Sequence, residues 1–267
     1  MSASVIRVKI DLVLRLIDTT TGAAASEINV KFIEKGCEVK PLYKGDGTFI
    51  FINKGRENTL MQIRAYGYED IDIAVNYEEL DEKAPTCDVF LIPSEKVISG
   101  EPVLGISGNL PSLKSIDAVN LMRPVCSLNE FEPKKKLLSV FSFVAGKKIT
   151  LDDVYYGLAS TDEKSYEEFV VTDQSGDNKV VLKDLIQTEV KPNRKIFRLL
   201  YGNVKEDGNF IFRIRDDATV LKYLIRFRAG DETYFRVIDF REENGKIDLM
   251  EKAERLTDLE PKEVESE

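Results

Sequence analysis

The stretch Asp46-Gly-Thr-Phe-Ile-Phe51 has a counterpart of the same pattern later in the chain, Asp207-Gly-Asn-Phe-Ile-Phe212. Asp and Gly favour tight turns, because Asp bonds nearby backbone amides and Gly tolerates positive φ. Two Phe residues at alternate positions point to one face of a strand. We therefore predict two β-rich domains, each with a turn and an entering strand of the same kind.

The residues on either side of the first copy show a two-residue periodicity. Apolar side chains alternate with polar or charged ones from Ile6 to Leu16, and shorter alternating runs continue as far as Pro93. This pattern is typical of strands with one face buried and one face in water. About seven short strands, without a convincing helix, predict a two-sheet antiparallel sandwich over residues 1–95.

The composition changes after this segment. Residues 96–136 are rich in Pro, Gly, Ser and Asn, and we interpret them as an irregular linker that includes at most a short helix over Ser112–Leu121. Alternation returns from Leu137, which predicts a second sandwich over residues 137–245. Residues 246–260 have apolar residues at helical spacing, so residues 246–267 are predicted to form a short helix and an acidic tail. The fold class is thus all-β, with two antiparallel sandwiches of the immunoglobulin-like or prealbumin-like kind.

The composition excludes several chemistries. The chain of 267 residues contains no histidine and only three cysteines, Cys37, Cys87 and Cys126, without a Cys-x-x-Cys spacing. Nucleophile–histidine pairs, histidine bases and histidine metal ligands are therefore absent. The sparse cysteines favour reduced thiols over a disulfide framework or a zinc site. We expect no catalytic residues, no cofactor and no metal.

Charge and hydropathy also bear on the partners. The net charge is −9, but residues 191–228 are basic. A basic stretch could meet nucleic acid, yet the acidic whole and the lack of a nucleic-acid-binding motif favour a solvated sheet face instead. No apolar run approaches the roughly 20 residues of a membrane span. The N-terminal residues lack the features of a secretory signal, so we expect a cytoplasmic location.

Paired acids raise the possibility of a metal or glycosidase site. The candidates are Asp152-Asp153, Asp216-Asp217, and Asp70 with Asp72. Adjacent residues of a strand point to opposite faces, so neither doublet forms a carboxylate pair by itself. Asp46 and Asp207 flank glycines, and we interpret them as turn residues.

A set of basic and aromatic residues is the candidate interaction surface. Arg residues alternate with apolar residues near the end of the second domain, which predicts guanidinium groups on one face of neighbouring strands, paired there with Asp216, Asp217, Asp231 and Glu232. The first strand, at the chain terminus, is expected at a sheet edge, where its amides could pair with another chain. The predicted surface comprises Lys9, Arg15, Tyr66, Tyr68, Arg213, Arg215, Arg226 and Arg228.

Residues 10–93 resemble the carboxypeptidase regulatory-like (transthyretin-like) β-sandwich, which is related to the Cna B-type repeats of surface proteins. The resemblance implies a non-catalytic accessory, spacer or adhesion module. Leu16 stands where some Cna B-type repeats have a crosslinking Lys, so that crosslink is not expected. The resemblance depends on Leu14-Arg-Leu-Ile-Asp18 with Thr21-Gly22, Ile28-Asn-Val-Lys-Phe32, Gly45-Asp-Gly-Thr-Phe-Ile-Phe51 and Leu60-Met-Gln-Ile-Arg-Ala-Tyr-Gly-Tyr68.

Three functions remain open from the sequence. The first is a structural or interaction protein that works through sandwich surfaces in a multi-subunit assembly, such as a phage-tail-like particle or another bacterial complex, with protein partners or further copies of itself. The second is a module that binds carbohydrate or another surface ligand, with Tyr66 and Tyr68 as the aromatic platform. The third is an acid-pair hydrolase, which the missing histidine and the missing facing carboxylates oppose. We favour the first.

Overall fold

The computed structural model describes residues 9–26, 28–52, 54–94, 103–151, 154–188, 190–215, 222–239 and 246–248. These residues form strands β1–β21, one turn of 3-10 helix at Pro133–Lys135, and no α-helix. The prediction of an all-β protein is confirmed. The described residues divide into two compact units. The first takes those up to Thr19 and from Ala23 to residue 94, and the second takes Thr20–Gly22 and those from residue 103 onward.

The first unit is a two-sheet sandwich. One sheet has the strand order β4-β5-β1-β8 and the other β3-β2-β6-β7. Phe32 of β2 lies 4.9 Å from the Phe49 ring and 5.3 Å from the Phe51 ring, both on β5, so side chains of both sheets share one core. The strands are β1 (Ile10–Asp18), β2 (Val30–Glu34), β3 (Cys37–Val39), β4 (Leu42–Tyr43), β5 (Thr48–Ile52), β6 (Thr59–Ala65), β7 (Ile71–Val75) and β8 (Thr86–Leu91).

Strand β1 lies inside its sheet. It pairs antiparallel with β5 on one side and parallel with β8 on the other. Leu12, Leu14 and Leu16 point to one face of β1 and are fully buried in the core between the two sheets. The prediction that the first strand forms a docking edge is therefore wrong for Ile10–Asp18.

The second unit contains two sheets. One has the order β17-β18-β9-β21, and the other has the order β11-β12-β15-β14-β13-β16-β10-β19-β20. The strands are β9 (Val103–Asn109), β10 (Leu113–Asn120), β11 (Cys126–Glu132), β12 (Leu137–Phe141), β13 (Tyr155–Ala159), β14 (Tyr166–Gln174), β15 (Lys179–Leu182), β16 (Lys195–Tyr201), β17 (Asn203–Val204), β18 (Asn209–Arg215), β19 (Lys222–Ala229), β20 (Glu232–Asp239) and β21 (Lys246–Asp248).

Part of the larger sheet closes into a barrel. Strand β11 pairs with β16 as well as with β12, so β11, β12, β15, β14, β13 and β16 form a ring. Apolar side chains from all six strands fill its interior, among them the fully buried Tyr156, Leu158 and Ile196. Closure leaves these strands without a free edge.

The remaining strands of the second unit repeat the topology of the first. The sheets β4-β5-β1-β8 and β17-β18-β9-β21 correspond strand for strand, and each places its last strand parallel to its first. The sheet β3-β2-β6-β7 corresponds to β16-β10-β19-β20, with antiparallel pairs throughout. The second unit is therefore the same eight-stranded sandwich with five strands, β11–β15, inserted between its second and third strands.

The repeated hexapeptide occupies the same place in both sandwiches. The amides of Thr48 and Asn209 each bond the Asp two residues earlier, at 3.2 and 3.0 Å. Gly47 and Gly208 have φ values of 76° and 80°. The turn role predicted for the two Asp residues is confirmed, and the Phe pairs that follow are buried in the two cores.

Several predictions for the middle and the end of the chain need correction. Residues 103–132, interpreted as part of an irregular linker, form β9, β10 and β11. The short helix allowed over Ser112–Leu121 is instead strand β10, which pairs with β16 on one edge and β19 on the other and whose two faces are both buried, Ile116 and Ala118 in the sandwich core and Val119 against Tyr166. The predicted C-terminal helix is wrong for Lys246–Asp248, which pair with β9 as a strand. The rest of that helix and the acidic tail lie outside the described residues.

Candidate functional site

A buried cluster of charged residues lies where the barrel meets the sandwich of the second unit. Strand β10 contributes Asp117, and its neighbour β19 contributes Arg226 directly opposite. Strand β14 of the barrel contributes Tyr166 and Glu168 from its outer face, and Arg228 follows on β19. We call these five residues the ion-pair cluster.

Asp117 is the deepest member of the cluster, with 1% of its surface exposed. Its Oδ1 accepts a hydrogen bond from Arg226 Nε at 2.9 Å and another from the Tyr166 hydroxyl at 2.6 Å. Its Oδ2 accepts from Arg226 Nη2 at 3.1 Å. The two-point guanidinium contact gives the pair a fixed geometry.

Glu168 joins the barrel to the same guanidinium groups. Its Oε2 accepts from Arg226 Nη2 at 2.7 Å and also from Arg228 Nη2. Its Oε1 lies 3.5 Å from the Tyr201 hydroxyl of β16. Two carboxylates thus face two guanidinium groups, and the charges of the cluster balance.

The surroundings shift the pKa values of these groups in different directions. Burial raises the pKa of the Asp117 carboxyl, although Arg226 and the Tyr166 hydroxyl oppose the shift. Burial also acts to raise the pKa of Glu168, but the combined attraction of Arg226 and Arg228 lowers it. Burial and Asp117 raise the pKa of Tyr166 well above the ordinary value, so its hydroxyl keeps its proton.

Apolar packing surrounds the cluster. The Tyr166 ring contacts the Phe235 ring of β20 edge-on at 5.3 Å, and Arg226 lies 4.8 Å from the centre of the Tyr166 ring. Gly157 of β13 allows the close approach, because a Cβ there would lie 3.0 Å from Val119 and 3.1 Å from the Tyr166 ring. The barrel therefore packs tightly against the outer face of β10.

The structure separates the residues of the predicted interaction surface in the second unit. Arg213 lies on β18 of one sheet, whereas Arg226 and Arg228 lie on β19 of the other. The prediction of one guanidinium face on neighbouring strands is wrong. The predicted partners of Arg226 and Arg228 are wrong as well, because these residues pair with Asp117 and Glu168. The side chain of Arg215 lies outside the described part, as do Asp216 and Asp217.

The predicted residues of the first unit are also dispersed. Arg15 is paired with Asp88 at 2.5 Å, and the Tyr68 hydroxyl donates to Asp18 at 2.9 Å. Tyr66, beyond the end of β6, is 75% exposed. The ammonium group of Lys9 lies 3.7 Å from Asp11. Arg15 and Tyr68 are thus engaged within their own unit.

The acid pairs form no metal site in the part of the chain that is described. No group of three or more potential metal-ligating side chains occurs among those residues. Asp70 pairs with Arg64 at 3.2 Å, and Asp152-Asp153 lie outside the described residues.

No described helix has the length and apolar character needed to cross a bilayer.

The sequence contained a signal for the ion-pair cluster that periodicity alone did not reveal. Asp117 stands between Ile116 and Ala118, and Arg226 stands between Ile225 and Phe227. A charged residue between apolar neighbours in a strand that is buried on both faces requires a partner of opposite charge. The pairing of the two strands was not predictable in the same way, since it depends on long-range register.

Comparisons with known proteins give little further information. No family model matches the chain, and no curated protein matches it in sequence. A solved structure of the major pilin subunit of Bacillus cereus aligns with TM-score 0.23 and 12% identity over 85% of this chain, which spans 66% of the pilin chain. A protein from Bacteroides ovatus, described as a proposed cell-adhesion protein, aligns with TM-score 0.19 and 10% identity over 87% of each chain. Likenesses of this size support no inference about fold or function.

Proposed function

We propose that the protein is a non-catalytic structural component that works through β-sandwich and barrel surfaces in a multi-subunit assembly. The observation that supports this proposal is the ion-pair cluster. Every oxygen of Asp117 and Glu168 faces a donor of the same chain. A general base or nucleophile needs a free lone pair directed at a substrate, whereas this cluster uses its charges to hold the barrel against the sandwich.

The more specific parts of the proposal concern the family and the setting. We place residues 10–93 with the carboxypeptidase regulatory-like sandwiches, a placement supported by the eight strands and by the turn at Asp46–Phe51. A phage-tail-like particle or another bacterial complex is the assembly that we have in mind. A cytoplasmic location fits the cysteines, all three of which are free thiols.

The test combines purification with activity measurement. The full chain, tagged and isolated from its native cell extract after mild crosslinking, is expected to bring down the same partner in a constant ratio. Chromogenic glycosyl, acyl and phosphoryl substrates are expected to show no turnover above the buffer rate. Turnover that disappears in the Glu168→Gln variant, or a chain that is recovered alone, would contradict the proposal.

The alternative of a carbohydrate-binding module has one supporting observation. Tyr66 is an exposed aromatic side chain, but Tyr68 uses its hydroxyl on Asp18. A single ring is a small platform for a sugar. A glycan array probed with the full chain and with Tyr66→Ala would reveal such binding as a signal that the substitution removes.

A further inference from the structure

Strand β20 is the longest strand at a sheet edge within the described residues. It spans eight residues, Glu232–Asp239, and pairs with β19 on one side only. The other edge strands are shorter, and the barrel strand β11 is closed against β16. Among the described residues, no strand pairs with the second side of β20.

The hairpin geometry shows which backbone groups of β20 point away from β19. Gly230 and Asp231 form a two-residue loop, and Ala229 pairs with Glu232 to close it. In such hairpins the closing residues exchange both of their hydrogen bonds, and bonded and unbonded pairs then alternate. The N–H and C=O groups of Thr233, Phe235 and Val237 therefore point outward from the sheet.

Within the described residues, this edge has few of the features by which sheet edges avoid pairing. Protective features include proline, charged side chains and above all lysine, a bulge or a very short strand. Strand β20 contains no proline or lysine, its register with β19 is unbroken from Lys222 to Ala229, and its charged residues are Glu232, Arg236 and Asp239. Val237, near its centre, is 43% exposed. The ring of Phe235 packs edge-on against the ring of Tyr166, a member of the ion-pair cluster.

We propose that β20 pairs antiparallel with β20 of a second copy of this chain, about a two-fold axis at Phe235. This register aligns Glu232–Ile238 of one copy with the same residues of the other. It places Phe235 opposite Phe235 and Thr233 opposite Val237, so the outward backbone groups of the two copies meet. Aromatic and β-branched cross-strand pairs of this kind stabilise antiparallel sheets.

The charges of the strand favour this partner and this direction. In the antiparallel register Tyr234 lies opposite Arg236, and Glu232 is a diagonal neighbour of Arg236 on the same face. A parallel, in-register pair would instead set Arg236 beside Arg236 and Glu232 beside Glu232, which is unfavourable. The strand is thus complementary to itself in one direction only.

This inference rests on the proposed assembly role and names one surface and one partner for it. Sedimentation of the full chain is expected to show a species of twice the 30.3 kDa monomer mass that grows with concentration. Val237→Lys is expected to shift the chain to the monomer mass, because an edge lysine opposes pairing. The matched control is Leu60→Lys, which replaces another exposed apolar residue, 62% exposed on β6 of the first unit, and keeps the dimer.

A crosslink tests the register. In a Cys37→Ser background, the double variant Thr233→Cys, Val237→Cys is expected to form a covalent dimer on oxidation, because directly paired strand residues lie within disulfide range. Val237→Cys alone is expected to form none, since its two copies would be about 13 Å apart along the strands. Far-UV circular dichroism verifies that each variant folds.

Three results would overturn the inference: a monomer at every concentration, a dimer that persists in Val237→Lys, or a crosslinking result opposite to the expected one, that is, no covalent dimer of the double variant or a covalent dimer of Val237→Cys alone. A monomeric chain that still recovers its partner from the cell extract would refute pairing through β20 and leave the assembly role intact. Loss of partner recovery with an intact β20 dimer would refute the assembly role and leave pairing through β20 intact.

Discussion

A carboxylate with 1% of its surface exposed, such as Asp117, has lost nearly all of its hydration. Such a loss costs several kcal/mol per ion, and it is offset only where donors of good geometry replace the water. Arg226 supplies two donors and Tyr166 supplies one. The stability of the junction thus depends on a few side chains whose individual contributions are measurable.

Tyr166→Phe tests the hydrogen bond that the Tyr166 hydroxyl donates to Asp117. The substitution keeps the ring that packs on Phe235 but removes the hydroxyl bonded to Asp117, so we expect the free energy of unfolding to fall by about 2 kcal/mol, the usual contribution of a hydrogen bond to a charged group. Chemical denaturation measures the change. Tyr66→Phe is the control, since Tyr66 is exposed, and a shift within about 0.5 kcal/mol is expected there. Equal effects of the two substitutions would contradict a stabilising role for the hydrogen bond between Tyr166 and Asp117.

Glu168 predicts a dependence of stability on pH. Because its pKa is lowered in the folded protein, its contribution is present above the unfolded-state pKa and is lost as pH falls through the folded-state value. Wild type should therefore exceed Glu168→Gln in unfolding free energy at neutral pH. The difference in unfolding free energy should shrink as the pH falls below 4.5, the ordinary pKa of a glutamate carboxyl. Thermal unfolding at several pH values measures it, and a difference that is independent of pH would contradict this role.

Arg226 illustrates a limit of prediction from single residues. Alternation with apolar neighbours correctly indicated a strand, but the exposed face assigned to Arg226 was wrong, because β14 of the barrel covers it. Period-two patterns show that two faces exist, and they do not show what packs on each. The covering strand lies far away in sequence, so no local pattern records it.

Turns were more predictable, because their physics is local. The Asp-Gly pairs at Asp46 and Asp207 bond amides two residues later, as the sequence indicated. The Gly residues add a second constraint that the sequence does not show. A Cβ on Gly208 would lie 2.4 Å from the Leu110 carbonyl oxygen, and one on Gly47 would lie 3.1 Å from that of Leu16.

These contacts predict how strongly three Gly→Ala substitutions lower the free energy of unfolding, relative to one another. Gly55 has a φ of 86° but open space around it. Gly55→Ala should therefore lower the free energy of unfolding by about 1 kcal/mol, from backbone strain alone. Gly47→Ala should lower the free energy of unfolding by more, and Gly208→Ala by about 3 kcal/mol, because its Cβ also displaces the backbone of Leu110 and Pro111 in the turn between β9 and β10. Chemical denaturation of the three variants gives the order. A Gly208→Ala variant as stable as Gly55→Ala would show that the turn is looser than described.

The position of β1 shows why the arrangement of strands was harder to predict than the strands themselves. Its alternating pattern was clear, but a terminal position in sequence does not imply a position at the edge of a sheet. The parallel partner β8 is far along the chain and covers the side that the prediction had left free. Strand order depends on which apolar faces meet, and that is a property of the assembled sheet.

For the second unit, the hexapeptide repeat predicted the common turn but not the shared topology. The sandwich is interrupted by β11–β15, whose short alternating runs resemble those of any other strands. Ring closure between β11 and β16 requires only a brief register, Cys126 with Ile196 and Ser127 with Lys195. Two residue pairs leave no periodic signal, so the barrel was counted as part of a second sandwich.

The most direct test of the account is the energetic coupling between Glu168 on the barrel and Arg226 on the sandwich. A double-mutant cycle with Glu168→Gln and Arg226→Met, measured by unfolding of the full chain, isolates their interaction. We predict a coupling of about 1–3 kcal/mol, because these residues join the two parts across 2.7 Å. Effects that add to within about 0.5 kcal/mol would contradict the claim that this pair holds the barrel in place.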